Sequence, residues 1–294
     1  MELRHLRYFA ATARAGSVSA AALDLHLTQP GLSRQLRDLE RELGVALFDR
    51  DGGRLRLSRT GTELLPLATA VLTAADDLRR AAGIQAAGRI ERLLIAAPTV
   101  TLTDVVSPFV ATLGHDDPVV DARVADGTSA QAMLVDGADL AIAADRAPAP
   151  FAVRRLATLP VWAYVRADHP WAAHASVPLA ELVTQTLVSV PAGFTARAAL
   201  DAALAGAELA ATELVEAGNG TIAQALAASG RGVAVVSDDP RFDLHALRIE
   251  LPGRATLALR LSASWNPRAV TAAAVEELVE RLRAFVDDRY RAAD

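Results

Sequence analysis

The chain contains 294 residues, of which 52% are hydrophobic, and its formal net charge is −5. This length fits about two domains, and the hydrophobic content supports a sizeable core and excludes intrinsic disorder. Cysteine is absent and all 30 basic residues are arginine, which excludes disulfides, thiolate nucleophiles, cysteine metal sites and a catalytic lysine. The first 60 residues hold ten arginines and seven acidic residues, a balance of +3 that leaves −8 for the remainder. This asymmetry indicates that only the N-terminal part binds a polyanion.

The N-terminal segment predicts three short helices. Apolar residues recur at helical spacing from Leu3 to Ala13, and Gly16 ends that helix. A second, alanine-rich helix extends to Leu23, and Thr28 caps a third helix with a proline in its first turn. The third helix carries one apolar stripe, at Leu32, Leu36, Leu39 and Leu43.

A small β-hairpin follows these helices. Strand-like alternation over residues 47–57 surrounds the turn Asp51-Gly52-Gly53. Three helices followed by a hairpin define a winged helix-turn-helix, whose recognition helix enters the major groove by its N-terminal turns. Gln reads adenine and Arg reads guanine there, whereas arginines on the hairpin suit phosphates. The candidate DNA-binding residues are Thr28, Gln29, Pro30, Ser33, Arg34, Arg37, Arg50, Arg54 and Arg56. From periodicity alone, a solvated polar face on a helical bundle remains the alternative.

A long helix is predicted next. Thr60-Gly61-Thr62-Glu63 fits a capping box that opens it. Its apolar positions alternate by four and three residues, a heptad seam typical of pairing with a partner helix. The alternative is an ordinary amphipathic helix packed on its own domain. The predicted seam consists of Leu64, Ala68, Val71, Ala75, Leu78 and Ala82.

From Arg92 onward, short apolar runs alternate with helical stretches, which predicts an α/β architecture. Helical segments are predicted at Thr195–Leu204 and Thr221–Ala228. The acidic pairs Asp76-Asp77, Asp116-Asp117 and Asp238-Asp239 are interpreted as solvated faces. Buried strands are predicted at 93–96, 140–143, 161–165, 187–190 and 233–236, and a further strand is predicted at 119–124.

Residues 3–61 closely resemble the DNA-binding domain of the LysR-type transcriptional regulators. The resemblance is carried by a long ordered signature rather than by the helix-turn-helix pattern alone. Looser similarities occur at Asp168-His169-Pro170 and at Gly230-Arg231-Gly232. The signature reads LRYF at 6–9, GSVSAAA at 16–22, LHLTQPGLSRQL at 25–36, LERELGVALFDR at 39–50 and LSRTG at 57–61.

The resemblance implies a winged helix-turn-helix over residues 1–59, a dimerising linker helix over 60–88 and an effector-binding domain over 91–294. That last domain is expected to have a periplasmic-binding-protein-like fold of type 2. Its first lobe would comprise about 91–161 plus 266–294, and its second lobe about 162–265. The expected partners are double-stranded DNA carrying an interrupted palindrome, a small-molecule effector, further copies of the chain in a homodimer or homotetramer, and RNA polymerase.

The effector of this family sits in the cleft between the lobes, where strand ends and helix N-termini supply free N–H donors. Hydroxyl and N–H groups there suit a small anionic or polar ligand, and Arg197 would add a positive charge. For each single residue, plain helix capping is at least as good an interpretation. The candidate effector-binding residues are Pro98, Thr99, Val100, Thr101, Thr128, Ser129, Phe194, Thr195, Arg197, Asn219 and Thr221.

Three further expectations concern chemistry and location. The six histidines are scattered, so we expect neither a metal site nor a cofactor. No nucleophile elbow, Walker A or dinucleotide motif is found, which argues against an enzyme. The start of the chain shows no signal-peptide pattern, and the longest uncharged stretch, residues 182–196, is too short to span a bilayer, so a cytoplasmic protein is expected.

The runner-up function is a small-molecule sensor whose N-terminal helices mainly dimerise, and an enzyme ranks third.

Overall fold

The computed structural model describes residues 1–51, 54–87, 90–253 and 255–291. The chain divides into two compact units, Met1–Arg89 and Ile90–Asp294. The described elements of the first unit form a winged helix-turn-helix followed by a long helix. Its elements are α1 (Leu3–Ala15), α2 (Val18–Asp24), α3 (Gln29–Leu43), β1 (Phe48–Asp51), β2 (Arg54–Leu57) and α4 (Arg59–Ala87).

Side-chain caps and left-handed glycines set the helix ends of the first unit. The Ser17 and Thr28 hydroxyls accept backbone N–H bonds at the starts of α2 and α3. Gly16 and Gly44 end α1 and α3 with φ of 62° and 71°. The apolar faces of the helices then meet in one core. That core includes Leu6, Phe9, Leu32, Leu36, Leu39 and Leu47.

The long helix α4 begins differently from the predicted capping box. Ser58 caps it, because its hydroxyl accepts the N–H of Gly61 at 2.8 Å. A side chain at position 61 would lie 2.0 Å from the carbonyl oxygen of Leu47, so only glycine fits there.

The predicted heptad seam on α4 is only partly exposed. Ala68 is buried in the core of its own unit, and Leu64 packs against that core. The exposed large apolar side chains among the described residues of α4 are Leu67, Val71 and Leu78, of which Leu67 lies outside the predicted seam.

The second unit contains two β-sheets, each with helices packed on it. The described strands are β3 (Arg92–Ala97), β4 (Val119–Val124), β5 (Leu140–Ala143), β6 (Ala152–Pro160), β7 (Trp162–Val165), β8 (Ser176–Pro178), β9 (Thr186–Ser189), β10 (Glu213–Glu216), β11 (Val233–Val236), β12 (His245–Glu250) and β13 (Ala258–Trp265). The described helices are α5 (Thr99–Thr101), which continues through a π-helical segment (Leu102–Val106) into α6 (Ser107–Val110), and then α7 (Ala130–Val135), α8 (Leu179–Leu182), α9 (Thr195–Gly206), α10 (Gly220–Ala228) and α11 (Ala272–Arg291).

The two sheets define two lobes. Strands run in the order β4-β3-β5-β13-β6 in the first sheet and β10-β9-β11-β7-β12-β8 in the second. In the first lobe, α11 packs on the sheet through Val275, Val279 and Leu282. In the second lobe, α9 and α10 bury Leu200 and Ala223 against the sheet.

The chain crosses between the lobes twice, after β6 and after β12. The predicted second lobe, about 162–265, is therefore wrong at its C-terminal end. Residues 258–265 form β13, which pairs antiparallel with β6 and with β5 in the first sheet. This pairing joins residues 98 to 125 positions apart, which local periodicity does not reveal.

Candidate functional site

The polar face of α3 is the first candidate site. Thr28, Gln29, Pro30, Arg34 and Arg37 are all exposed, and they lie on α3 or at its N-cap. Their order places Gln29 and Arg34 in the N-terminal half of the helix, the part of a recognition helix that enters a major groove.

Ser33 departs from the predicted DNA-binding set. It is only 9% exposed, because its position on α3 turns it towards the side that carries Leu32 and Leu36. We therefore leave it out of the proposed contacts.

The hairpin supplies a further basic position. Arg56 on β2 is exposed and lies opposite Asp49 in the antiparallel register. The side chains of Arg50 and Arg54, which the sequence also predicts to bind DNA, lie outside the part that the structure describes.

A cleft lined by both lobes is the second candidate site. It encloses about 1090 Å³ of space, part of it open to solvent. Many of the predicted effector-binding residues line this cleft, because the strand ends and helix starts of the two lobes meet there. The predicted residues that line it are Pro98, Thr99, Val100, Thr101, Phe194, Thr195, Asn219 and Thr221.

Three predicted effector-binding residues are not among those that line the cleft. Ser129 caps α7, and the Thr128 hydroxyl donates to a neighbouring carbonyl. Arg197 forms ion pairs with Asp201 at 2.8 Å and Glu216 at 3.0 Å. These carboxylates already neutralise Arg197, so the predicted positive charge in the cleft is not supplied by this residue.

Some polar groups in the cleft are already engaged within the protein, and Asn219 is engaged as a helix cap, as the alternative interpretation held. The N–H and hydroxyl of Thr99 both donate to the Asp126 carboxylate, at 2.8 and 2.6 Å. Asn219 accepts the N–H of Ile222 at the start of α10. Thr101 differs, because it is 6% exposed and no described group forms a hydrogen bond with its hydroxyl.

A polar network that the sequence pattern does not predict joins the lobes at the cleft. Asp104, in the π-helical segment, accepts a hydrogen bond from Arg241 at 2.7 Å and from the backbone N–H of Asp239 at 2.9 Å. Tyr290 on α11 donates to the carbonyl oxygen of Asp104 at 3.2 Å. Asp239 also pairs with Arg289 at 2.8 Å.

Asp238 lies beside this network, and its interpretation as part of a solvated acidic pair is wrong. It is 8% exposed and lines the cleft. Burial raises the pKa of the Asp238 carboxyl to about 6, and the charge of Asp104 adds to this effect, while Arg241 opposes it. The signal in the sequence is its position two residues after the buried strand β11, at the edge where cleft residues collect.

Neither a metal site nor a membrane span is found in the described residues. No group of three or more His, Asp or Glu side chains among them is placed to hold a metal ion. No helix in the described ranges is both long and apolar enough to cross a bilayer.

Family models match both units of the chain. Residues 3–62 match the model described as bacterial regulatory helix-turn-helix protein, lysR family. Residues 86–287 match the LysR substrate binding domain. The chain therefore belongs to the LysR family of DNA-binding transcriptional regulators, and the predicted fold class and function class are confirmed.

Individual relatives agree with this assignment. A helix-turn-helix regulator from Azotobacter vinelandii is 47% identical over 81 residues, which cover 28% of this chain and 56% of that protein. The regulator YybE of Bacillus subtilis is 27% identical over 244 residues, which cover 81% of this chain and 83% of that protein. The crystal structure of full-length CbnR with its target DNA superposes with a TM-score of 0.62 at 21% identity, covering 97% of this chain and 99% of that one.

The alignments differ in how much of the relatives they span. This chain covers 56% and 40% of the lengths of the first two curated relatives that it matches. The match to the CbnR structure covers nearly all of both chains. Because the sequence identity is only 21%, this match establishes the shared fold.

Proposed function

We propose that this regulator binds a specific DNA sequence and that a small polar effector in the cleft changes its DNA binding. The cleft is the observation that carries the proposal, because residues of both lobes line it and a bound molecule would contact both. A ligand that binds one arrangement of the lobes more tightly than another shifts the population towards that arrangement.

The proposed DNA contacts are those of a recognition helix with a wing. Exposed Gln29 and Arg34 would read bases, and exposed Arg56 would contact phosphate. A homodimer, or a homotetramer built from two dimers, would place recognition helices in successive major grooves about 34 Å apart. Such symmetry predicts an interrupted palindrome as the target. The remaining proposed contacts are Thr28, Pro30 and Arg37.

Further partners follow from the family. A regulator of this class acts on chromosomal DNA, so we place the protein in the cytoplasm. At promoters we propose RNA polymerase as its protein partner. We assign no catalytic activity, and turnover of a bound effector by the purified protein would overturn that assignment.

Selection of fragmented genomic DNA by the purified full-length protein tests the DNA part. At near-physiological salt we expect enrichment of one interrupted palindrome over the background. Uniform, salt-labile recovery without a motif would refute sequence-specific binding and favour a sensor module that merely dimerises.

A matched pair of variants tests the effector part. Thr101→Val removes a hydroxyl that lines the cleft, whereas Thr184→Val removes an exposed hydroxyl that is not among the lining residues. A small-molecule extract of cells that express the target genes should alter the footprint of wild-type protein and of Thr184→Val. Thr101→Val should keep its DNA footprint and lose at least part of the response. An unchanged response in Thr101→Val would remove this residue from the proposed site.

A further inference from the structure

The charge of the cleft is the opposite of the one that an anionic effector needs. Among the described lining residues, four are aspartates and one is an arginine. Arg289 pairs with one of these carboxylates without being among the lining residues. The formal balance is therefore still negative after Arg289 is counted. The aspartates are Asp104, Asp126, Asp238 and Asp239, and the arginine is Arg241.

Most of these carboxylates are already engaged within the protein. Both oxygens of Asp104 accept hydrogen bonds, from Arg241 and from the backbone of Asp239. Both oxygens of Asp126 accept from Thr99. Asp239 pairs with Arg289.

Among the described residues, Asp238 differs in lacking a side-chain partner, although its carboxylate accepts a backbone N–H. Across the described ranges no side chain donates a hydrogen bond to its carboxylate or forms an ion pair with it, although the residue is 8% exposed. A buried carboxylate without a cationic partner carries a desolvation cost, and a bound group that supplies a positive charge relieves it.

The setting of Asp238 also disfavours an anion at this place. Its carboxylate lies against Gly220 at the start of α10, so closely that a side chain at position 220 would meet Oδ2 at 1.9 Å. A helix start attracts negative charge, and here the protein's own carboxylate lies beside it. A carboxylate or phosphate of an effector at the same place would be repelled by Asp238.

We propose that the effector carries a positively charged organic nitrogen, an ammonium or a guanidinium group, and that Asp238 binds it. This inference rests on the proposed function, in which an effector occupies the cleft. The Thr101 hydroxyl, which no described group binds, lines the same cleft from the other lobe and offers an acceptor for a further N–H.

A metal cation is the competing source of positive charge. The described residues contain no group of three or more potential ligands placed to hold one. A nitrogen cation needs only one or two carboxylate or hydroxyl acceptors, which is what Asp238 and Thr101 provide.

The titration of Asp238 supplies an independent readout. Burial raises the pKa of this carboxyl to about 6. The groups whose charge acts on it are Asp104 from the π-helical segment and Asp239 and Arg241 from its own loop. Tyr164 on β7 donates its hydroxyl to the Asp238 backbone, and Tyr290 from α11 lines the same cleft. Below about pH 6 the affinity for a cation should fall by up to about tenfold per pH unit, because Asp238 becomes neutral.

Thermal unfolding of the full-length protein with matched probes tests the proposal. Putrescine and agmatine carry charged nitrogens, whereas succinate is a dicarboxylate of similar length, and all are used at equal ionic strength and millimolar concentration. We expect the amines, and not succinate, to raise the Tm of wild-type protein at neutral pH. Asp238→Asn should lose this shift. Asp243→Asn should keep it, because Asp243 is exposed in the same loop and is not among the lining residues.

Four results would overturn the inference. They are stabilisation by succinate alone, retention of the amine effect in Asp238→Asn with no fall towards acid pH, stabilisation by Mg²⁺ or Ca²⁺ in place of the amines, and no stabilisation by any probe. Succinate stabilisation that is lost in Thr101→Val would refute the charge assignment and leave the effector cleft standing. The selection of genomic DNA judges the regulator function separately, because it needs no effector.

Discussion

Asp104 and Arg241 form an ion pair of 2.7 Å between the two lobes of the effector-binding unit. Asp104 is 7% exposed, and its second oxygen accepts a backbone N–H from the Asp239 that precedes Arg241 in the same loop. Both residues line the cleft. A molecule in the cleft would therefore meet one of the contacts that join the lobes.

Removing the cationic partner should destabilise the effector-binding unit. Arg241→Met keeps much of the side-chain length and leaves Asp104 buried without its ion pair. We therefore expect the free energy of unfolding to fall by about 2–4 kcal/mol. Urea unfolding followed by tryptophan fluorescence measures it. The double variant Asp104→Asn with Arg241→Met should recover part of the loss, because no buried charge is then unpaired. A loss below about 0.5 kcal/mol in the single variant would show that the pair is energetically neutral.

Asp238→Asn should stabilise the protein at neutral pH. Folding raises the pKa of the Asp238 carboxyl from 3.8 to about 6, so the folded protein favours the neutral form. The stability that this preference contributes is complete below pH 3.8 and is lost as the pH rises through 6. A raised pKa of this size corresponds to about 3 kcal/mol between the two charge states. At neutral pH we expect the free energy of unfolding of Asp238→Asn to exceed that of wild type by about 1–3 kcal/mol. The difference should vanish towards about pH 4.

Calorimetric melting across this pH range checks the prediction. Asp243→Asn serves as the control, since Asp243 is exposed, and its melting should follow wild type at every pH. Lower stability of Asp238→Asn at neutral pH would mean that the ionised carboxylate makes favourable contacts in the free protein.

Two residues on the recognition helix should determine base preference. Gln29→Ala and Arg34→Ala should each relax selectivity at one position of the target. The free-energy preference for the favoured base at that position should fall by about 1–3 kcal/mol. Ser33→Ala should leave selectivity unchanged, since Ser33 is 9% exposed. In vitro selection from a randomised DNA pool measures these preferences. An unaltered motif in Gln29→Ala and Arg34→Ala would show that other groups read the bases.

The wing should contribute charge rather than selectivity. Arg56→Ala should lower the slope of log affinity against log salt concentration by about one, because one phosphate contact is lost. The exposed Arg268 of the effector-binding unit provides the control substitution, which should leave the slope unchanged. Fluorescence anisotropy at several salt concentrations gives both slopes, and equal slopes for Arg56→Ala and wild type would place Arg56 off the DNA.

The linker helix should assemble through its exposed apolar positions. Leu67, Val71 and Leu78 are 63%, 45% and 72% exposed and follow heptad spacing on α4. Leu78→Glu should shift the protein towards monomer in sedimentation velocity, because it places a charge in the seam. Leu23→Glu alters an equally exposed leucine on α2 and should leave the assembly state unchanged. Retention of the wild-type assembly by Leu78→Glu would assign oligomerisation to another surface.

Local signals predicted the local structure well. Buried four-residue runs such as 140–143 and 233–236 were identified as strands, because they are continuous and apolar. Ala152–Pro160 was missed, since it carries Arg154 and Arg155 on a partly exposed strand. The boundary between the lobes was misplaced, because the pairing of β13 with β6 is a long-range event.

The residues of the cleft show the same difference between local and long-range signals. Thr99 and Asn219 were located in the cleft because they follow strands and begin helices. Asp238 was overlooked, because an acidic pair in sequence is usually solvated and only tertiary packing buries this one. Arg197 was assigned to the ligand, although Asp201 four residues later was a visible partner on the same helix face.

The two segments that cross between the lobes lie side by side. Val161, in the first crossing, donates its N–H to the carbonyl oxygen of Leu257, in the second, at 2.9 Å. A double connection joined by a hydrogen bond restrains sliding of the lobes and leaves hinge bending as the softer motion. We therefore expect a molecule bound in the cleft to act on the angle between the lobes, as a load acts on a hinge.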